Sequence, residues 1–177
     1  MKFLKGITEK KFGQRGFTLI ETFVAVTILI ISIVGPFTLV MKGLSVSKST
    51  KGQIIAMYLA QDGIEYVRNI RDENILTGNY WFKDLETACV GSGKKCKVNT
   101  NLHRNVSTCG TACPVLKFNP AAKIYGYVLG DDSVFTRTIN IVEISSGVEA
   151  IVTVTMSWQE GPNPRDFIIT EHLLNWQ

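Results

Sequence analysis

The chain has 177 residues, with 19 Lys and Arg against 15 Asp and Glu, which gives a formal net charge of +4. This length accommodates one ordinary domain with some additional chain, and it excludes a large multidomain machine. Charged residues make up 19% of the chain, below the roughly 25% of typical soluble domains, which excludes long, highly charged disordered tails.

The N-terminal region divides into two segments of opposite character. Residues 1–16 contain five basic residues and one acidic residue, which accounts for the whole net charge. Residues 17–41 are mostly apolar, and their single formal charge is that of Glu21. As a helix this run would reach about 37 Å at about 1.5 Å per residue, enough to cross a hydrocarbon core of about 30 Å. The sequence therefore predicts one membrane-spanning helix, and the basic flank predicts a cytoplasmic N-terminus with the rest of the chain exported.

Two simpler interpretations of the apolar run compete with this one. A cleaved secretory signal would need a short apolar region and a small-residue cleavage site, and the residues after Val40 offer no convincing site. A plain uncleaved anchor explains the apolar run but gives no reason for Glu21. A carboxylate inside a membrane helix costs about 2.5–3.5 kcal/mol on insertion scales, although the dipole at the helix N-terminus reduces that cost. Glu21 is therefore a candidate functional residue.

The junction between the two segments carries a specific motif. It reads RGFTLIE over residues 15–21 and leads directly into the apolar run. The motif resembles the N-terminal motif of type IV pilins and type II secretion pseudopilins. This resemblance implies that a prepilin peptidase cleaves between Gly16 and Phe17 and methylates the new amine of Phe17. It also implies that Glu21 neutralises the Phe17 amine of a neighbouring subunit as a filament assembles.

The same resemblance implies a topology and a set of partners. Residues 1–16 would be a cytoplasmic leader peptide, and residues 17–41 would be retained as the transmembrane and filament-core helix. The protein would lie in the cytoplasmic membrane as a single-pass, N-in protein and then enter a surface or periplasmic filament. Its implied partners are prepilin peptidase, other pilin or pseudopilin subunits, the assembly platform and the membrane. An amine and a carboxylate that are each costly in lipid become tolerable once they are paired in a helix bundle.

Gly35 and Pro36 interrupt the apolar run near its C-terminal end. Proline lacks an N–H group and clashes with the preceding turn, so a kink or a locally melted stretch is predicted here. Pilins of this family often carry such a helix break, and it would let the helix extend during assembly. A simple membrane-helix kink with no assembly role is the alternative.

Residues 42–177 are predicted to form an exported domain of the α+β class. Helical periodicity continues over residues 42–76, and residues 53–74 resemble the same stretch of minor pilins of the pilus-modification type. Residues 77–123 are predicted to be a cysteine-containing loop region. Residues 124–177 are predicted to form an antiparallel sheet of about four strands. A long helix packed on such a sheet is also the pilin architecture.

The strands of this sheet are predicted from alternation and turn residues. The clearest is at residues 148–158, where apolar side chains alternate with mostly polar ones. The other three strands are predicted at residues 124–129, 134–144 and 165–176.

Four cysteines lie close together in the loop region, at Cys89, Cys96, Cys109 and Cys113. An exported domain with four cysteines favours disulfides, for which three connectivities exist. We favour the local pairs Cys89–Cys96 and Cys109–Cys113, because each closes a short loop in a segment with little core. Zinc is the alternative because His103 lies nearby, but the cysteine spacings do not match those of the usual zinc knuckles. No metal and no cofactor is therefore predicted.

The same loop region is basic. No acidic residue lies between Thr87 and Gly130, and six basic residues do. A basic loop on a filament could contact DNA, an acidic polysaccharide or a neighbouring subunit, or it could be an ordinary solvated insertion. The six residues are Lys94, Lys95, Lys97, Arg104, Lys117 and Lys123.

Catalytic signatures are absent from the sequence. The only histidines are His103 and His172, of which His172 is expected at a surface or edge, and no G-x-S-x-G nucleophile motif occurs. The sequence thus predicts a non-enzymatic minor pilin or pseudopilin. The alternatives are a minor pilin that binds DNA or a surface through the basic loop, and a membrane-anchored exported domain that forms no filament.

Overall fold

The computed structural model describes residues 16–175, so most of the predicted leader and the end of the last predicted strand lie outside the described residues. One long helix, α1 (Leu19–Leu76), opens the described chain. The chain divides into two units, Met1–Val46 and Ser47–Gln177.

The first unit contains the apolar part of α1. All side chains from residue 17 to residue 46 are exposed. Among the described residues α1 is long and apolar enough to cross a membrane, either as a single span or as a signal. The helix is continuous through Gly35 and Pro36, so the locally melted alternative is not observed, while a kink there stays a prediction.

The second unit is an α+β domain, as the sequence predicts. It contains the C-terminal part of α1, a one-turn helix α2 (Glu86–Cys89) and a seven-stranded sheet. In chain order the strands are β1 (Cys96–Val98), β2 (Val106–Thr108), β3 (Val115–Asn119), β4 (Ile124–Gly126), β5 (Asp131–Ser145), β6 (Glu149–Glu160) and β7 (Asn163–Leu174).

The sheet is built around the long strand β5, and its strand pairs are antiparallel. One path through the sheet runs β2-β1-β5-β3-β4, and β6 lies between β5 and β7. The β5–β6–β7 meander corresponds to three of the predicted strands, and β4 corresponds to the fourth.

The sheet has seven strands rather than about four, because β1, β2 and β3 lie in the region predicted as loop. Each has only three to five residues, too few to establish an alternating pattern, and β1 and β3 are held by pairing with β5.

The hydrophobic core lies between the C-terminal part of α1 and one face of the sheet. Alternate residues of β6, from Ala150 to Trp158, point into it and are buried. Helical spacing places Leu59, Ile64 and Val67 of α1 in the same core. Gly63 lets helix and sheet approach closely, since a Cβ atom there would lie 3.4 Å from a methyl group of Val154. On the helix side, the core residues are Ala56, Leu59, Ala60, Ile64, Val67 and Ile70.

Candidate functional site

The N-terminus of α1 is fixed by a cap at Thr18. The backbone carbonyl of Thr18 accepts hydrogen bonds from the N–H groups of Glu21 at 3.0 Å and Thr22 at 3.2 Å. Its hydroxyl oxygen also lies 3.3 Å from the Glu21 nitrogen, which donates to it. A threonine followed three residues later by glutamate is the sequence of a capping box. The cap places Glu21 in the first helical turn, where the helix dipole favours an anion.

The three residues of the predicted processing and assembly motif are all accessible. Phe17 is 78% exposed, and an added Cβ atom on Gly16 would meet nothing within 4 Å. Glu21 is exposed, and its carboxylate makes no ion pair within residues 16–175. The chain therefore presents an exposed carboxylate at the start of an apolar helix.

Large aliphatic and aromatic side chains surround the first half of α1 on all sides. Such a surface is unfavourable in water. No family model, curated protein or solved structure matches this chain. Any function assigned to Gly16, Phe17 and Glu21 therefore depends on their residue types, spacing and exposure.

The cysteines form the two local pairs favoured by the sequence. The Cys89–Cys96 bridge joins the end of α2 to the start of β1, with Cα atoms 5.1 Å apart. The Cys109–Cys113 bridge follows β2, with Cα atoms 4.8 Å apart. Within residues 16–175 no group of three or more potential ligands could hold a metal ion. His103, the candidate zinc ligand, instead lies 2.9 Å from a carboxylate oxygen of Glu73.

Arg104, one of the basic residues of the loop region, contacts acidic residues of the α+β domain. It forms ion pairs with Asp84 and with Glu73, the latter at 3.1 Å, and it donates to the amide oxygen of Asn74 at 3.2 Å. Hydrogen bonds from His103 and then Arg104 lower the pKa of Glu73. The charge of Arg104 is thus balanced within the chain.

Two lysines of the basic loop also make contacts within the α+β domain. Lys94 donates from Nζ to the backbone carbonyl oxygens of Glu86 and Thr87, both at 3.1 Å, and so caps carbonyl groups of α2. Lys97 lies in β1 with its ammonium group 5.3 Å from the centroid of the Tyr127 ring, a cation–π geometry. Lys95 is exposed, and no ion pair is formed by it within the described chain. Neither contact neutralises the ammonium charge, and none of the three lysines forms an ion pair within residues 16–175.

Arg137 is a buried charge that the sequence analysis missed. It lies in β5, is 1% exposed, and donates to the backbone carbonyl oxygens of Leu59 and Val98, each at 2.9 Å. Its guanidinium also pairs at 2.9 Å with Asp62, which is half exposed. Arg137 thereby joins α1, β1 and β5. The strand alternation could have revealed its burial, because Arg137 lies on the same face of β5 as the buried Phe135 and Ile139.

A second polar contact, partly exposed, joins the segment after α1 to β5. The hydroxyl of Tyr80 donates to a carboxylate oxygen of Glu143 at 2.9 Å, and the indole N–H of Trp81 donates to the same oxygen at 3.1 Å. Burial, followed by the hydrogen bond to Glu143, raises the pKa of Tyr80 to about 12.

Proposed function

We propose that this chain is a structural minor pilin or pseudopilin subunit of a type IV pilus or type II secretion filament, processed by prepilin peptidase. One observation carries the proposal. An exposed carboxylate, Glu21, occupies the first turn of an exposed apolar helix that begins directly after the Gly16–Phe17 junction.

Cleavage at this junction would give Phe17 a cationic amine four residues before Glu21. A carboxylate and an amine are each unfavourable in the hydrocarbon core, and pairing between neighbouring helices offsets much of that cost. The apolar surface of residues 17–46 would be covered by lipid before assembly and by other subunits afterwards. Filament growth would thus be coupled to leaving the bilayer.

The remaining parts of the chain have matching roles in this proposal. The basic segment of residues 1–16 would keep the N-terminus in the cytoplasm, as the positive-inside rule requires. The α+β domain would then be exported and would face outward on the filament. Its disulfide-bonded cysteines are typical of exported domains.

Binding of DNA or a surface polymer through the basic loop has weaker support. Arg104 is balanced by two carboxylates, which removes one of the six positive charges counted in the basic loop. A basic patch attracts polyanions through its unbalanced charge. We therefore do not propose this as a second function.

The decisive experiment is to determine the mature N-terminus by mass spectrometry. The chain would be expressed in a host with a prepilin peptidase, extracted from the membrane and sequenced. We expect an N-methylated Phe17, whereas an intact Met1 would overturn the proposal and favour a plain membrane anchor. Gly16→Leu is the control, because a side chain at the cut obstructs the peptidase while meeting nothing in the folded chain.

The role of Glu21 is tested separately by filament incorporation. A pairing worth about 2 kcal/mol corresponds to a roughly thirtyfold loss of incorporation in Glu21→Ala. Glu21→Gln keeps the shape without the charge and should lose as much, whereas the neighbouring Thr22→Ala should not. If Glu21→Ala enters filaments as efficiently as the unaltered chain, the neutralisation role is wrong.

A further inference from the structure

The strand β7 forms one whole edge of the sheet. Among the described residues its only partner strand is β6, and it presents twelve residues along its other side. The opposite edge is formed by β2 and β4, which have three residues each. Very short edge strands are one way in which proteins prevent pairing with another chain, and a long edge strand lacks this protection. The edge of β7 is therefore the part of the sheet that is open to a further strand.

The backbone groups on this open edge can be identified from nearby hydrogen bonds. The N–H of Asn175, just after β7, turns inward and donates to the Val148 carbonyl at 2.8 Å. The neighbouring Leu174 carbonyl turns outward, where it accepts a hydrogen bond from Arg71 at 3.4 Å. Backbone groups alternate in direction along an antiparallel strand, and the register of β7 with β6 has no shift. The other outward N–H and carbonyl groups are consequently those of Asp166, Ile168, Thr170 and His172.

A groove beside this edge has room for the side chains of an added strand. It lies between α1 and the C-terminal end of β7, and its volume of about 790 Å³ is within the range of pockets for drug-sized ligands. Its walls include Arg68 and Arg71 of α1. A carboxylate oxygen of Glu171 lies 2.7 Å from Nε of Arg68, which Glu65 also contacts at 2.6 Å. Arg71 is paired with Asp72 at 2.6 Å, so the carboxylates of the groove outnumber its guanidinium groups.

The charge along the whole edge is also negative. Asp166 is exposed and makes no ion pair within residues 16–175. Arg165 is balanced by Glu160 at 3.4 Å, and His172 contacts Glu149 at 2.8 Å. With the groove included, six carboxylates lie along the edge against three guanidinium groups, which leaves a net charge of −3 when His172 is neutral. A second copy of β7 would bring the same charge and be repelled, whereas a basic segment is attracted.

We propose that the open edge of β7 binds an extended, basic segment of another protein as an additional strand. Main-chain hydrogen bonds to the outward groups hold the segment, and its Lys or Arg side chains meet the excess carboxylates of the edge. Strand addition of this kind gives affinity through the main chain and specificity through alternate side chains. This site goes beyond filament assembly, and its test is independent of N-terminal processing.

The test is NMR spectroscopy on the full, isotope-labelled chain in a non-ionic detergent, which does not attract a basic peptide. The probe is the capped heptapeptide Val-Lys-Val-Lys-Val-Lys-Val, whose alternate side chains give it one basic and one apolar face. The matched control peptide has Glu in place of each Lys. We expect the basic peptide to bind with a Kd on the order of 0.1 mM, and the acidic peptide to bind at least tenfold more weakly.

Amide hydrogen exchange gives a signature that other modes of binding lack. Strand addition should slow exchange at Ile168 and Thr170 about tenfold or more, because their N–H groups face the added strand. Exchange at Ile169 and Glu171 should not change, because those N–H groups already bond to β6. A peptide that only covers the groove would not produce this alternation.

The variant Thr170→Pro separates strand addition from the stability of the sheet. It removes one outward N–H and leaves the hydrogen bonds between β6 and β7 in place, since proline is tolerated on edge strands. We expect at least tenfold weaker peptide binding with little change in the unfolding temperature. The matched control Thr170→Ala loses the same side chain but keeps the N–H, and it should bind like the unaltered chain. If Thr170→Pro does not fold, the exchange pattern of the unaltered chain decides the question.

Three results would overturn the inference. The first is the absence of binding by the basic peptide up to about 2 mM, well above the expected Kd. The second is binding without the alternating exchange pattern, or unchanged binding by a folded Thr170→Pro variant. The third is an acidic peptide that binds as tightly as the basic one, which would show that the negative charge of the edge selects nothing.

Discussion

The buried guanidinium of Arg137 should make a measurable contribution to the stability of the α+β domain. The substitution Arg137→Met keeps most of the side-chain volume and removes the hydrogen bonds to Leu59, Val98 and Asp62. The Leu59 carbonyl retains its helical partner, while an unpaired buried Val98 carbonyl would cost about 1–3 kcal/mol. Relief of the buried charge offsets part of this loss. We expect a net loss of about 2 kcal/mol, which lowers the unfolding temperature by about 4–8 °C for a chain of this size.

The assay is thermal unfolding of the disulfide-intact chain, followed by near-UV circular dichroism of the buried Trp81 and Trp158. Asp62→Asn should cost less than about 1 kcal/mol, because Asp62 is 48% exposed and water replaces its partner. The control Arg165→Met removes an exposed pair with Glu160 and should change stability by no more than about 0.5 kcal/mol. If Arg137→Met is as stable as the unaltered chain, the polar contacts of Arg137 contribute nothing net and the reasoning is refuted.

Three other outcomes are expected in the same domain. Replacing Cys89 and Cys96 together by alanine should cost about 2 kcal/mol in denaturant unfolding, because the bridge restricts the unfolded chain even though its loop is short, and both cysteines are buried; an unchanged midpoint would contradict this. Tyr80→Phe should remove a phenolate step near pH 12 from the ultraviolet titration, and Glu143→Gln should move that step to lower pH. Since the raised pKa of Tyr80 lies above its usual 10.0, the stability it contributes is complete below pH 10 and is lost as the pH rises towards 12. Gly130→Ala should destabilise the domain by more than 1 kcal/mol in the same denaturant assay, because Gly130 has φ +113° and a Cβ atom would overlap the Phe118 carbonyl.

Sequence patterns predicted the features that depend on neighbouring residues. Alternation located β6, because a strand with one buried face repeats every two residues. Short cysteine spacing favoured the two bridges that the structure contains. The apolar run predicted a helix from residue 17, and α1 begins at Leu19 and ends at Leu76, the predicted last residue.

Features that depend on long-range pairing could not be predicted in this way. The strand β1 has three residues, and its partner residue in β5, Ile139, lies more than forty positions further along the chain. Arg104 was counted among the six basic residues of the loop, and its partners Glu73 and Asp84 lie outside the acid-free stretch. Counting the charges of the acid-free stretch alone therefore overestimated its unbalanced positive charge by the contribution of Arg104.

The two disulfides also affect the order in which the chain can mature. Each joins cysteines separated by only seven or four positions. Neither bridge needs β5, β6 or β7 to bring its sulfur atoms together, although β5 later packs beside β1. If the domain is exported as we propose, both bonds can close while the C-terminal meander is still on the other side of the membrane. Oxidation can then precede folding, so the sheet assembles on a segment whose covalent connections are already complete.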